Sequence, residues 1–365
     1  MGQPLIVGII GCGTIIGQYL ETFGRVNDVQ LVAVADLDRA RAETVAAEHA
    51  GVEALSVEEL LNHPLIEVVV NLTIPAAHAE VSLSIIAAGK SVYVEKPLAA
   101  TVAEGRAVLQ AASEASVSVG CAPDTVLGGG IQSARHSIES GLIGEPQSAT
   151  ATMVTAGHER WHPNPDFYYQ PGGGPLMDMG PYYITALVTL LGPIRRVIGA
   201  ASAPRKVRTI QTGPRAGETI PVTTPTHVSA ILEHESGLLT TMVMSFDVSA
   251  TKASKIEIHG SAGSLAVPDP NNFGGEVQLW TADNPEWTSL PLSAGYVNGS
   301  RGFGVAEMAW SRAPDGAIGE TRAQGELGLH VLEVMEGILV SAATRCSHQI
   351  VTTVQPPQAV RLSDR

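Results

Sequence analysis

The chain has 365 residues, 22 of them basic and 36 acidic, for a formal net charge of −14 at pH 7. That balance argues against nucleic acid, whose phosphates nothing here would neutralise, and against an anionic membrane surface. The length allows two domains with sizeable cores, and no apolar run is long enough to read as a membrane span. Cys12, Cys121 and Cys346 are odd in number and widely spaced, so they form neither a metal pattern nor a disulfide framework. The N-terminal residues pass directly into a strand pattern without a basic or apolar leader, and the expectation is a cytoplasmic protein.

The first motif is Leu5 to Gly17, LIVGIIGCGTIIG. An apolar, β-branched run over Leu5 to Ile10 predicts a buried strand, broken at Gly11-Cys12-Gly13 and followed by a helix over Thr14 to Phe23. Strand, glycine turn and helix together can carry a pyrophosphate: Gly11 permits the turn, Gly13 admits the phosphates, and the helix start favours the anion. The place of a third glycine is taken by Ile16, with Gly17 one position late. Helix-on-strand packing is therefore expected to be looser, or to rely on Gly17. A second strand, Gln30 to Ala35, ends in Asp36, whose carboxylate can accept bonds from both hydroxyls of an adenosine ribose. The same charge repels a 2′-phosphate, which favours NAD over NADP.

Helices follow over Asp38 to His49, with Asp38 as N-cap, and over Val57 to Asn62. The strand Ile66 to Val70 ends at Asn71 and leads through a turn at 72–75 to a helix over Ala77 to Ala88, stopped by Gly89. Ser91 to Val94 is a strand ending in Glu95-Lys96-Pro97, Thr101 to Glu114 a helix, and Val117 to Cys121 a strand. Such alternation predicts a parallel, doubly wound sheet. Gly11, Asp36, Thr73, Lys96 and Asp124 fall at strand ends, the edge where ligands bind in such sheets. Beyond a helix over Gly130 to Ser140 the pattern changes to strands at Ser148 to Thr155, Arg196 to Ser202, Val228 to His234, Gly237 to Phe246, Lys255 to His259, Ser264 to Val267 and Glu276 to Trp280. Turn signals between them predict a largely antiparallel sheet of hairpins. Residues 204–225 and 282–303 read as loops, Glu326 to Ala343 as an amphipathic helix, and Ala359 to Leu362 as a last strand. The expected division is 1–123, a dinucleotide-binding domain, and 124–365, a substrate-binding and oligomerisation α+β domain whose 326–343 helix packs back toward the first. Apolar residues toward both faces of the Val228–Phe246 hairpin predict burial of both, hence a homodimer or homotetramer through this sheet.

Two segments carry chemistry. Lys96, held extended by Pro97 at the sheet edge, can donate to a substrate hydroxyl or carbonyl. The run Gly172 to Tyr183 leads into a helix, and with Pro181 placed in its first turn Asp178 falls at or near the N-cap and Tyr182 four residues on. In the aromatic stretch His158 to Tyr169, Trp161 offers a face to a pyranose, while His158, Tyr169 and Asp124 offer hydrogen bonds. His158 and His162 lack acidic or cysteine partners at metal-binding spacing, so no metal is expected.

With the Gly-x-Gly loop, Asp36, Thr73-x-Pro75-x-x-His78, Glu95-Lys96-Pro97 and the Gly-Gly-x-Leu-x-Asp-x-Gly segment in this order, the chain resembles the glucose-fructose oxidoreductase, inositol dehydrogenase and rhizopine-catabolism (Gfo/Idh/MocA) family over nearly its whole length. The resemblance implies a Rossmann domain followed by an open-sheet α+β domain. It implies NAD held by Gly11, Cys12, Gly13, Thr14, Ile15, Asp36, Leu37, Asn71, Thr73, Pro75, His78, Glu95 and Lys96. Lys96 matches the family's active-site lysine and Asp178 its sugar-facing carboxylate, while Tyr182 stands where many members carry a histidine. Ala122-Pro123-Asp124-Thr125 replaces the more usual Asn/Arg-containing segment. The implied activity is hydride transfer between nicotinamide and a carbinol carbon of a sugar or cyclitol, with Tyr182, or Lys96 relayed through it, as proton carrier. Redox-assisted glycoside cleavage with recycled NAD and a non-catalytic NAD-binding sensor are the other readings.

Overall fold

The computed structural model describes residues 3–313, 316–319 and 321–363. The chain forms two compact units, one of Met1–Asp124 with Ser300–Leu329 and the other of Thr125–Gly299 with His330–Arg365. The expected division at residue 123/124 treated everything beyond it as one region, whereas 300–329 returns to the first unit.

In the first unit β1 (Leu5–Ile10) is followed by α1 (Ile16–Phe23), β2 (Val29–Ala35), α2 (Arg39–Glu48), β3 (Glu53–Ala54) and α3 (Val57–Leu61). Then come β4 (Val68–Asn71), α4 (His78–Ala87), β5 (Ser91–Val94), α5 (Val102–Ala115) and β6 (Val119–Cys121). The strands pair in parallel in the order β3-β2-β1-β4-β5-β6. Strand order reverses at β1, the switch point at which such sheets open a crevice for ligand. Val7, Ile9, Val68, Val70, Val92 and Val94 have no exposed surface, as expected of strands covered by helices on both faces. Asp38 caps α2, and Ser56 and Thr101 form capping boxes with Glu59 and Glu104. Helix α1 begins two residues later than its sequence pattern. Ile16 is buried in the core, while Gly17 faces open space and contributes nothing to the packing expected of it.

The second unit starts with α6 (Gly129–Glu139), β7 (Pro146–Val154), α7 (Pro175–Leu191), β8 (Ile194–Ser202), β9 (Val207–Thr209) and β10 (Thr219–Pro221). It continues through β11 (His227–His234), β12 (Leu239–Ser245), β13 (Ile256–Gly260), β14 (Gly263–Val267), β15 (Gln278–Thr281) and β16 (Thr288–Ser289). After α8 (Phe303–Trp310), which belongs to the first unit, come α9 (Gly325–Thr344) and β17 (His348–Gln349). The nine-stranded sheet runs β16-β15-β14-β13-β7-β12-β11-β8-β17, antiparallel except for the parallel pair β7–β12. The expected strand at 359–362 is absent; Arg361 and Ser363 make only isolated bridges to Ala294 and Tyr296. Helix α9 is, contrary to expectation, long and apolar enough to cross a membrane. Leu332, Val334, Met335 and Ile338 are nevertheless wholly buried within the protein, so it packs as a core helix.

Helix α8 begins where the stretch read as loop ends and runs through residues given no element from the sequence, and its cap explains a misplaced residue. Gly302, at its N-cap, has no side chain to offer. The carboxylate of Asp124, which is 1% exposed, accepts bonds from Gly302 N at 2.8 Å and Gly304 N at 2.9 Å. Asp124 therefore anchors the returning segment, and its expected role in holding substrate is corrected. Burial pushes its carboxyl from 3.8 up to about 6, against the pull of the two N–H bonds and Arg301. The folded state thus binds this proton more tightly than the unfolded state. The group's stability contribution is full below about pH 4 and is lost as pH rises through about 6. Asp124→Asn, which cannot ionise, should lack that loss. The stability difference between variant and wild type, measured by urea unfolding, should shift in the variant's favour by about 2 kcal/mol between pH 4 and pH 7.

Candidate active site

The glycine loop is built by a close approach. Gly11 has φ +105°, and a Cβ added there would lie 2.6 Å from the carbonyl carbon and oxygen of Leu72, just beyond β4. No side chain fits that gap in that conformation. Gly11 N donates to Ala35 O and Leu72 N to Ile10 O, both at 2.8 Å, so the ends of β1, β2 and β4 are locked together. Gly13 is exposed, with open space where a side chain would stand, and Ile15, at the N-cap of α1, offers no side-chain cap. Asp36 is half-buried at the end of β2. Its carboxylate accepts from Cys12 N at 2.7 Å and from Asp38 N at 2.8 Å. It braces the loop as well as standing where a ribose would be read. Leu37 beside it is 100% exposed. Burial, then the charge of Asp36, pushes the Cys12 thiol up to about 11, so it is a packing group. Thr14 and Ile15 carry the loop into α1. An uncapped helix start, a bare glycine and a fixed carboxylate fit NAD.

Other members of the expected cofactor shell serve as braces. Asn71 is fully buried. Its amide donates to His78 O (3.0 Å) and Ser82 Oγ (3.1 Å), and its Oδ1 accepts from Thr73 N (3.2 Å) and Thr73 Oγ1 (2.6 Å). The buried His78 ring spans two loops, with Nδ1 2.6 Å from Pro97 O and Nε2 3.0 Å from Thr73 O. Burial pushes its pKa down. Glu95 accepts from Tyr19 OH and from Lys96 N, each at 2.9 Å, joining α1 to the turn that carries Lys96. Asn71, His78 and Glu95 thus bond to the protein itself. Thr73, half-buried, and Pro75, exposed at the head of a short 3₁₀ turn, remain at the surface of this edge. Lys96 is half-buried, and its bond to Pro97 is cis.

In the second unit α7 starts earlier than expected, at Pro175, because Gly174 (φ +90°) makes the turn and Pro175 fits the first helical position. Asp178 consequently lies in the first turn rather than at the N-cap, and Pro181 stands in the helix interior. Tyr182, buried, follows Asp178 by four residues on the same face. His158 Nε2 lies 3.2 Å from Asp178 Oδ2. Tyr169 has no exposed surface; its hydroxyl accepts from His158 N at 3.0 Å and donates to Glu159. Its expected contact with substrate is therefore corrected to support of His158. Behind it Arg208, also buried, pairs with Glu159 at 2.9 Å and Asp247 at 2.6 Å. This network has no signature in the sequence, since Arg208 lies in a stretch read as loop. Trp161, by contrast, is 59% exposed, its ring centroid 5.1 Å from that of His158. Among the described residues no group of three or more His, Cys, Asp or Glu could hold a metal.

Residues 5–122 match the NAD-binding Rossmann-fold model of an oxidoreductase family, and residues 131–266 match the GFO/IDH/MocA C-terminal domain. The chain belongs to the Gfo/Idh/MocA family. It is 26% identical to 1,5-anhydro-D-fructose reductase of Ensifer adhaerens, across 94% of this chain and 98% of that one. It is 27% identical to inositol 2-dehydrogenase of Rhizobium meliloti, across 78% and 81%. The fold is shared with an NAD-binding oxidoreductase from Klebsiella pneumoniae (TM-score 0.81, 24% identity, 95% and 99% of the two chains). It is shared equally with apo levoglucosan dehydrogenase (TM-score 0.81, 21% identity, 97% and 100%).

Replacing Asp36 with Ser should weaken NAD binding by at least about tenfold while weakening NADP binding less, because charged bonds to the ribose are lost with the repulsion of a 2′-phosphate. Isothermal titration with both cofactors measures this; an unchanged NAD affinity would remove Asp36 from the cofactor site.

Proposed function

We propose that this oxidoreductase transfers hydride between NAD and a carbinol carbon of a sugar, cyclitol or related polyol. The observation that carries the reading is the pairing of Asp178 with His158 beside the exposed ring of Trp161: a carboxylate for hydroxyl groups next to an apolar face for sugar C–H bonds. The two relatives above, named for an anhydro-sugar and an inositol, support the substrate class. They are a reductase and a dehydrogenase, which favours net redox turnover over glycoside cleavage with recycled cofactor. Lys96, Asp178 and Tyr182 together favour an enzyme over a sensor.

Bound NAD supplies the hydride acceptor, the nicotinamide C4. Lys96 donates to the substrate oxygen and offsets negative charge developing there. Asp178 accepts a bond from a substrate hydroxyl and so fixes the sugar's orientation. Tyr182 takes up the hydroxyl proton; a phenol with a pKa near ~10 is a weak base at neutral pH and needs positive charge to favour the phenolate. Three free thiols suit a reducing compartment, and we place the protein in the cytoplasm.

The assembly we propose is a homodimer or homotetramer through the nine-stranded sheet. Val228, Ala230 and Leu232 of β11 are buried on the helix-covered face. On the other face Ile231 is 41% and Ile198, its direct cross-strand partner, 45% exposed, with Thr241 and Thr150 continuing the row. A level surface of Ile, Thr and Ser suits isologous pairing with a second copy. Sedimentation at micromolar concentration should show an oligomer, and Ile231→Glu should convert it to monomer; a monomeric wild type contradicts the proposal. Lys96→Ala should lower kcat by about 10²–10⁴-fold while leaving NAD affinity within about twofold. Unchanged turnover would refute the role of Lys96.

A further inference from the structure

We propose that His158 is a positioning residue for Asp178: a neutral imidazole that carries its proton on Nε2 and donates it to Asp178 Oδ2. The proposal rests on the assignment of Asp178 to the substrate's hydroxyls made above.

The ring is 8% exposed and enclosed by other aromatics. Its centroid lies 4.3 Å from that of Phe246, 4.4 Å from that of Tyr168, which meets it edge-on, and 5.1 Å from that of Trp161. Nε2 lies 3.2 Å from Asp178 Oδ2, whereas Nδ1 is buried without a hydrogen-bond partner. Three protonation patterns are available to such a ring, and the surroundings separate them. A cation would bury an unpaired N–H carrying positive charge. A proton on Nδ1 alone would leave that donor orphaned, and Nε2 would then need a proton from the carboxylic acid. A proton on Nε2 satisfies the donor through Asp178 and leaves only a lone pair unmatched on Nδ1, the least costly outcome.

The backbone behind the ring is fixed. His158 N donates to Tyr169 OH, and Tyr169 OH donates to Glu159. Glu159 is paired with Arg208, which is paired in turn with Asp247, and Asp247 accepts from Thr226 Oγ1 at 2.5 Å. The buried ion pairs hold the main chain of His158 through Tyr169, and with it the imidazole that bonds Asp178. A neutral donor on one carboxylate oxygen favours the ionised form and fixes its plane. Asp178 is kept an acceptor, the state required to receive a substrate hydroxyl.

The test has one arm that needs no turnover. In protein labelled with ¹⁵N-histidine, the His158 signals, assigned by their loss in His158→Gln, should show Nε2 protonated and Nδ1 bare at about pH 8, where an ordinary imidazole is neutral. An Nδ1–H tautomer there overturns the proposal. In the second arm His158→Phe keeps the packing and removes the donor, while His158→Gln restores a donor near the Nε2 position. KM for the polyol should rise in His158→Phe and recover in His158→Gln, with NAD affinity unchanged in both. Equal losses in the two variants would show a purely structural role and overturn it. Full turnover in Asp178→Asn would instead refute the assignment of Asp178, whatever the tautomer of His158.

Discussion

The passage of Gly11 against the carbonyl of Leu72 is the constraint on which the cofactor edge depends. With 2.6 Å between that carbonyl and the place of a Cβ, β1 and β4 can end side by side only if a residue without a side chain turns the corner. Once that corner is made, Cys12 N comes within 2.7 Å of the Asp36 carboxylate, and the loop is tied to the end of β2. The same edge is extended by buried polar groups. Asn71 shapes the Thr73 turn, His78 bridges that turn to Pro97, and Glu95 joins Lys96 to Tyr19 of α1. The Tyr19–Glu95 and His78–Pro97 bonds are buried, where losing one partner strands the other, and the remaining bonds are partly buried, so the edge is braced by the protein itself.

The second unit obtains rigidity by a different route. Arg208, Glu159 and Asp247 are taken out of water together, which is tolerable because their charges meet in close contact and further bonds go to Thr226, Tyr169 and the main-chain oxygen of Phe246, though Arg208 Nε is left without a partner. Such a network adds little net stability compared with apolar packing, but deleting one member is costly. Its link through Tyr169 to the main chain of His158, whose ring bonds Asp178, gives that cost a functional direction.

How much of this was legible in the sequence depended on how local the cause was. The parallel sheet, the glycine loop and the ribose-reading Asp36 follow from an apolar run, a glycine pair and an acid at a strand end. The mostly antiparallel sheet follows from alternation and turns. Asp124 could not be read correctly because the N–H groups it caps lie at Gly302 and Gly304, far along the chain. Helix α8 is only Phe303–Trp310, too short to stand out beside glycine and serine. Pro181 pointed to the wrong helix start, since Pro175 was the better first residue and the helix tolerates the interior proline. Residue type alone also cannot tell a carboxylate or imidazole that binds a ligand from one that braces a turn. Glu95, His78 and Asn71 show that a family motif can hold the site as much as line it.

The most direct test of the account is to incubate the protein with NAD and a panel of sugars, cyclitols and glycosides, following NADH by its near-ultraviolet absorbance and the products by mass. The account predicts NADH accumulating in step with a product two hydrogens lighter than a sugar or cyclitol in the panel. A glycoside consumed with no net NADH, or no turnover of any polyol by protein that binds NAD, would contradict it.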